Sequence, residues 1–249
     1  MVTAPGAAVS ERIVDRPGLG TPGEDAAWDA LRQRITISLR PIGAPTPIGL
    51  FGLAAATFVL SGLQLGWVDQ GEGKKVAFVL IGFAFVAQLL AAIFSFLGRD
   101  GTVATAMSML ALTWLVVGLV LYTSPPGSTS DVLGLFLLFS GAAMTMTGLT
   151  AATSKLVPAA VFLLAALRFF TTAGYELSGD KPWETTAGVL GLVLLALALY
   201  AAWAAELEDA LGHTVLPFGR RGKGKVAVQG SLLEQVKEIP TEPGVRTKL

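Results

Sequence analysis

The chain has 249 residues, of which 53% are hydrophobic and 14% are charged, and its 18 basic residues balance its 18 acidic residues. This composition is too apolar for an ordinary soluble domain, and a net charge of zero gives no general attraction to nucleic acid, so we expect no nucleic-acid partner. The chain has no cysteine and one histidine, His213, which excludes thiol active sites and histidine-based zinc-peptidase helices. We therefore expect a protein that is not an enzyme and that holds no metal and no cofactor.

The first 43 residues predict a cytoplasmic segment with one short helix. Residues 21–24 read Thr-Pro-Gly-Glu, a capping box with proline at the first helical position. Trp28 and Leu31 then fall on one helix face. The pattern predicts an amphipathic helix over residues 22–36 that lies on the inner membrane surface, and a solvated linker is the alternative.

Five long stretches of the chain contain no charged residue, and each holds at least 21 residues. A helix needs about 20 residues to cross a hydrocarbon core about 30 Å thick, and backbone groups in lipid must be paired within the segment. A sixth stretch is apolar apart from Arg168. The sequence therefore predicts an all-α fold, a bundle of six transmembrane helices within residues 44–206. We place the spans at about 47–67, 76–98, 102–123, 131–153, 156–175 and 184–206.

Basic and aromatic residues predict the same orientation. With the amino terminus inside, fourteen basic residues fall on the inner side and three on the outer side, which favours both termini in the cytoplasm. We expect a multi-pass protein of the plasma membrane whose cytoplasmic tail, residues 207–249, is largely disordered after residue 220. The outer ends of the spans carry four aromatic residues that prefer the headgroup level: Trp67, Tyr122, Tyr175 and Trp183.

The second span carries a polar side chain near its middle. Gln88 lies close to the membrane midplane, where an unpaired amide would cost about 2 kcal/mol or more. It either forms an interhelical hydrogen bond or lines a pore and binds a solute that crosses the centre.

The fourth span carries a stripe of small residues. Gly134, Gly141 and Gly148 are seven residues apart and therefore share one face. Such spacing predicts a seam where two helix backbones approach closely.

Apart from residues at the very ends of the predicted spans, Arg168 is the only charged residue inside a span. It lies about 18 Å along a path of about 30 Å, so snorkelling covers only part of the distance to the outer surface. It either faces a wet cavity and attracts an anion, or is tethered to Glu176 or a lipid phosphate. No Asp or Glu falls inside a predicted span except at the span ends, so we expect channel-like or passively proton-linked passage, with any proton travelling on the solute.

Two motifs lie at opposite ends of the membrane region. Residues 44–50 read Ala-Pro-Thr-Pro-Ile-Gly-Leu, and residues 211–217 read Leu-Gly-His-Thr-Val-Leu-Pro. They resemble Asn-Pro-Ala-Pro-Leu-Gly-Leu and Phe-Gly-Arg-Thr-Val-Leu-Pro, two motifs of the acetate uptake transporter family, the acetate/succinate permeases. The resemblance implies a six-helix bundle that assembles as a hexamer, with a pore for small carboxylates in each protomer.

Departures from the family pattern affect the expected solute. Leu53 and Leu110 correspond to two aromatic residues that narrow the family's pore, so we expect a softer, more apolar constriction and a longer or more hydrophobic monocarboxylate. The residues predicted along the substrate pathway are Pro45, Pro47, Gly49, Leu50, Leu53, Gln88, Leu110 and Arg168.

These observations together predict a membrane transporter for an acetate-like or succinate-like carboxylate, with lipid and further copies of the chain as its other partners. Two alternatives remain open at this point. One is a channel for neutral solutes such as urea or amides, and the other is a membrane sensor or assembly protein that transports nothing.

Overall fold

A computed structural model describes residues 42–230, so the amphipathic helix predicted over residues 22–36 lies outside the described residues. Six helices are long and apolar enough to cross a membrane, and no strand occurs in the part of the chain that the structure describes. The predicted all-α six-helix fold is confirmed. The helices are α1 (Thr46–Gln64), α2 (Gln70–Leu97), α3 (Gly101–Thr123), α4 (Asp131–Ala152), α5 (Leu156–Ser178) and α6 (Lys181–Leu211), followed by the short α7 (Gly222–Gln229).

The helix ends use the capping chemistry of their sequences. The Asp100 side chain accepts the backbone N–H of Val103 at the start of α3, and the Ser130 hydroxyl accepts that of Leu133 at the start of α4. At the other end, α5 stops where Gly179 adopts a left-handed conformation with φ of 73°. Because α6 begins at Lys181, only two residues connect these two helices.

Helix α2 is irregular along its length. It opens with a 3₁₀ turn at Gln70–Glu72, continues as α-helix over Gly73–Val79, and widens into a π-helical segment at Leu80–Phe85 before Val86–Leu97. Wide turns of this kind are rare and frequently occur at functional sites. Here the π segment ends three residues before Gln88.

The six spans close into a ring. Each helix packs against its neighbours in sequence, and the ring closes where α1 packs along α6. The connections α1–α2, α3–α4 and α5–α6 lie at one end, which we call the outer end, and the other connections lie at the inner end. A large buried cluster that includes Leu50, Leu53 and Leu110 fills the centre, and within the described residues a small second cluster contains Ala204, Ala205 and Phe218.

The glycine seam predicted on α4 is confirmed as its contact with α5, the most extensive helix contact in the bundle. A Cβ added at Gly141 would lie 2.7 Å from the Phe170 ring, and Gly134 and Gly148 are equally close to side chains of α5. A side chain at any of these three positions would overlap side chains of α5, which would have to shift.

The described part of the segment after α6 contains one short helix. Helix α7 (Gly222–Gln229) lies within the tail that we expected to be largely disordered after residue 220, and residues 231–249 lie outside the described residues. The start of this segment is attached to α6 because the Arg220 guanidinium pairs with the carboxylate of Glu208, and both side chains are largely buried. Backbone bonds also attach this segment to the inner end, since the N–H of Leu156 donates to the carbonyl of Gly219 at 3.0 Å.

Candidate functional site

A cavity of about 70 Å³ enters the bundle from its outer end. Residues from α1, α3, α4, α5 and α6 line it, together with the α3–α4 connection and the start of α2. One water needs about 10–15 Å³ by the same measure, so the cavity has room for several water molecules, or for one small solute with water beside it. Most of the wall is apolar, and the polar and aromatic side chains that the site depends on are Gln64, Gln70, Trp114, Arg168, Tyr175, Glu176 and Glu184.

Arg168 lies at the inner part of this cavity and is 1% exposed. Its Nε donates to the carbonyl of Ala187 at 3.3 Å, and its Nη2 donates to Ser61 Oγ at 3.3 Å and to Gln64 Oε1 at 3.1 Å. Nη1 takes part in none of these bonds. Within residues 42–230 the guanidinium has no carboxylate partner, so the tether to Glu176 that was one sequence interpretation is not formed.

A glycine on α6 makes the space for this arginine. A Cβ added at Gly191 would lie 2.6 Å from Arg168 Nε and closer still to Ser61 Oγ. Atoms do not approach that closely without displacement, so α1, α5 and α6 meet at this level only because residue 191 has no side chain.

Trp114 on α3 borders the cavity and was missed as a site residue by the sequence analysis. Its ring lies 5.8 Å from the Arg168 guanidinium carbon and packs edge-on against Phe169, with ring centroids 6.0 Å apart. The indole Nε1–H is buried and has no acceptor within the described residues. An unpaired donor beside an arginine favours a ligand that accepts hydrogen bonds. A mid-span tryptophan was the sequence feature that could have indicated this position.

Two carboxylates line the cavity, whereas we expected no Asp or Glu inside a span. Helix α5 continues past the predicted end at residue 175 to Ser178 and so includes Glu176, and α6 begins at Lys181, so Glu184, predicted at the very start of the sixth span, lies within its first turn. Glu184 is 3% exposed, pairs with Lys181 and accepts a bond from Gln70 Nε2 at 3.3 Å.

The predicted leucine constriction lies inward of the cavity. Leu53 is seven residues from the cavity-lining Leu60 along α1, and Leu110 is four residues from Trp114 along α3. Both leucines are 0% exposed and belong to the same buried cluster. The bundle is therefore closed by apolar side chains at this level.

Gln88 is fully buried, and neither its Nε2 nor its Oε1 has a hydrogen-bond partner in the described part of the chain. The interhelical hydrogen bond that was one interpretation of this residue is thus not formed. Its Cγ lies 3.3 Å from the position of a Cβ on Gly52, which places the amide stem directly against α1. A buried amide without partners costs free energy that a water or a solute would restore.

The remaining predicted pathway residues lie at the inner end of α1, away from the cavity. Pro47 occupies the first turn, and Leu50 is fully buried in the central cluster. A Cβ added at Gly49 would lie 2.7 Å from both Ala91 Cβ and Met107 Sδ, so three helices meet there. Pro45 precedes the first turn without a side-chain cap.

Comparison with known proteins gives consistent matches. Residues 32–217 match the GPR1/FUN34/yaaH family. The chain is 28% identical over 175 residues to ammonia transport outward protein 2 of Saccharomyces cerevisiae, covering 64% of this chain and 60% of that protein, which is less than two thirds of its length. It is 25% identical over 179 residues to the succinate-acetate/proton symporter SatP of Escherichia coli, covering 70% of this chain and 94% of that protein. The solved structure of the bacterial acetate channel SatP aligns with a TM-score of 0.64 at 25% identity, covering 72% of this chain and 99% of that one.

Proposed function

Because this chain belongs to the GPR1/FUN34/yaaH family, we propose that it transports small carboxylates across the plasma membrane through a path inside each protomer. The similar proteins bear the names of a succinate-acetate/proton symporter and an acetate channel, and the six apolar helices make this chain a multi-pass membrane protein. We also propose that it assembles as a hexamer, with the apolar outer faces of the helices against lipid and other protomers.

The observation that carries the proposal is the unpaired cation at the inner part of the cavity. Taking an arginine out of water without a partner costs several kcal/mol, and a guanidinium remains protonated in proteins. Arg168 and the unpaired Nε1–H of Trp114 both offer donors, and no carboxylate pairs with this arginine within residues 42–230. A carboxylate solute supplies both the missing charge and the missing acceptors.

Beyond Arg168 the proposed path crosses the Leu53–Leu110 level, passes Gln88 and leaves beside Gly49 and Leu50. An apolar constriction opposes an ion far more than a neutral acid of similar size. This favours passive proton-linked passage, with the proton carried on the solute. The leucine constriction also favours a solute with a longer hydrocarbon part than acetate, because leucine side chains change conformation more readily than aromatic rings.

A channel for neutral amides or urea is the second candidate, and Gln88 is the observation that favours it. A primary amide in the solute would satisfy both unpaired atoms of this side chain, Nε2 and Oε1. The yeast relative is named as an ammonia transport protein, so its name also points to a nitrogen-containing solute.

The test is uptake of labelled acetate, butyrate, succinate, acetamide and urea by purified protein in liposomes. Arg168→Gln removes the charge and is compared with Lys75→Gln, which removes an exposed cation from the outer end. Losing a charged hydrogen bond of about 1.5–3 kcal/mol raises the KM for carboxylates about tenfold to a hundredfold in Arg168→Gln. Equal uptake of acetate and acetamide, unchanged by Arg168→Gln, would favour the neutral-solute channel.

A further inference from the structure

The two carboxylates of the cavity differ in their partners. Glu184 is held by Lys181 and Gln70. Glu176 makes one hydrogen bond, in which its Oε2 accepts the backbone N–H of Ser130 at 2.8 Å, and within residues 42–230 it has no cation partner. The second oxygen of Glu176 is therefore available to another group. Glu176 can therefore bind and release a proton without breaking an ion pair within the described residues.

The surroundings of Glu176 have few charges. On its own helix the ionisable side chains that line the cavity are Arg168 and Tyr175, and α6 contributes Glu184 with its partner Lys181. The neighbouring start of α4 offers the Ser130 amide. The other polar residues of the cavity wall come from α1, α2, α5 and the α3–α4 connection and do not titrate: Gln64, Gln70, Ser124, Ser128 and Thr172.

Glu176 lies between the cavity mouth and Arg168. The two residues are eight positions apart on α5, which is about 12 Å along the helix axis. Both line the same cavity, whose volume of about 70 Å³ has room for water between them. A solute that moves from the outer end to Arg168 therefore passes Glu176, and water can join the two sites.

An anionic solute that leaves Arg168 toward the inner end needs a proton. Leu53 and Leu110 are fully buried apolar residues, and a carboxylate anion would lose its solvation there without compensation. The same solute as an undissociated acid carries no net charge through this level. A solute attracted as an anion by Arg168 must therefore gain a proton before it continues inward.

We propose that Glu176 supplies this proton. Protonated Glu176 transfers its proton through cavity water to the carboxylate held at Arg168, which leaves Glu176 ionised and the solute as a neutral acid. Glu176 then takes a new proton from water at the cavity mouth, so that one proton enters with each carboxylate. This inference rests on the proposed transport function and adds to it a protein group that sets the pH dependence.

The test compares the pH profile of acetate uptake in liposomes for wild type, Glu176→Gln and Glu72→Gln, the last removing an exposed outer carboxylate as control. The concentration of undissociated acetic acid falls about tenfold per pH unit between about pH 5 and 7. The uptake rates of wild type and Glu72→Gln should fall less steeply with pH, since Glu176 supplies protons to bound anions. Uptake by Glu176→Gln should be slower, and its rate should fall with pH in proportion to the concentration of undissociated acid alone. A wild-type profile in Glu176→Gln would overturn the inference while leaving the transport function intact.

A second measurement on the wild-type protein covers the case in which Glu176→Gln does not assemble. Dicyclohexylcarbodiimide reacts with protonated carboxyl groups in apolar surroundings, and the modified residue is identified by peptide mass spectrometry. We expect modification at Glu176, a matching loss of uptake, and protection by acetate. Modification at Glu184 instead, or no modification within the cavity, would overturn the role of Glu176. A wild type that takes up no carboxylate above protein-free liposomes would overturn the transport function itself.

Discussion

Replacing Gln88 by methionine should stabilise the protein and slow transport. The side chain is fully buried, and its two polar atoms have no partner in the described structure. An unsatisfied buried group costs about 1–3 kcal/mol, so removing both should raise the free energy of unfolding by at least that amount. Methionine keeps the length of the side chain, which matters because the stem packs against Gly52 with no space to spare.

Thermal unfolding in detergent, followed by tryptophan fluorescence, measures the stability change. For a chain of this length each kcal/mol corresponds to about 2–4 °C in Tm. Gln70→Met is the matched control, because the same substitution there removes bonds to Glu184 and to the carbonyl of Leu63. Its Tm should fall, each lost bond being worth about 0.5–1.5 kcal/mol.

Transport by Gln88→Met should change in the opposite direction from stability. If the amide binds the solute on its way through the centre, losing about 1.4 kcal/mol there slows uptake about tenfold. A Tm of Gln88→Met below that of wild type would show that the Gln88 amide has hydrogen-bond partners in the native protein. A higher Tm with unchanged uptake would show that Gln88 lies outside the path.

Two further predictions concern the packing of the bundle. The double substitution of Leu53 and Leu110 by alanine should lower the free energy of unfolding by about 2–5 kcal/mol per residue and raise uptake of hexanoate relative to acetate. Unchanged size selectivity would show that these two leucines do not form the constriction. Gly141→Val should lower Tm by an amount equivalent to about 1–3 kcal/mol, because Phe170 occupies the space. The control Gly82→Ala, with nothing within 4 Å of the new Cβ, should change Tm by less than half as much. Equal losses of Tm in the two variants would contradict the close contact between α4 and α5.

The fold followed from the sequence because charge-free length is a direct requirement of the membrane. Each uncharged stretch became one helix, and the α4 glycines met α5 as their spacing predicted. Helix ends were less accurate. A charge-free stretch marks where the apolar surface stops, whereas hydrogen-bonded helix continues into the headgroup region, as α6 does to Leu211. For this reason Glu176 was assigned to the connection between the fifth and sixth spans, and Glu184 was placed at the very start of the sixth span instead of within its first turn.

The candidate site was only partly predictable. The position of Arg168 followed from counting residues, but its partners come from α1 and α6, which are distant in sequence and meet only in the folded ring. The direction of the Trp114 ring also depends on tertiary packing. For Gln88 the sequence left two interpretations open, since it does not show whether a facing helix offers a partner. The ion pair between Arg220 and Glu208 was also not predictable, because no local pattern indicates it.

The absence of a side chain at Gly191 has a consequence for comparing relatives. Because a Cβ there would overlap both Arg168 and Ser61, the arginine and the glycine form one structural unit, although 23 positions separate them in the chain. Homologues with a larger residue at the position of Gly191 should lack the buried arginine, and those that keep the arginine should keep the glycine. Covariation of these two positions can therefore separate members of the family that carry this cation from members that attract their solutes by other means.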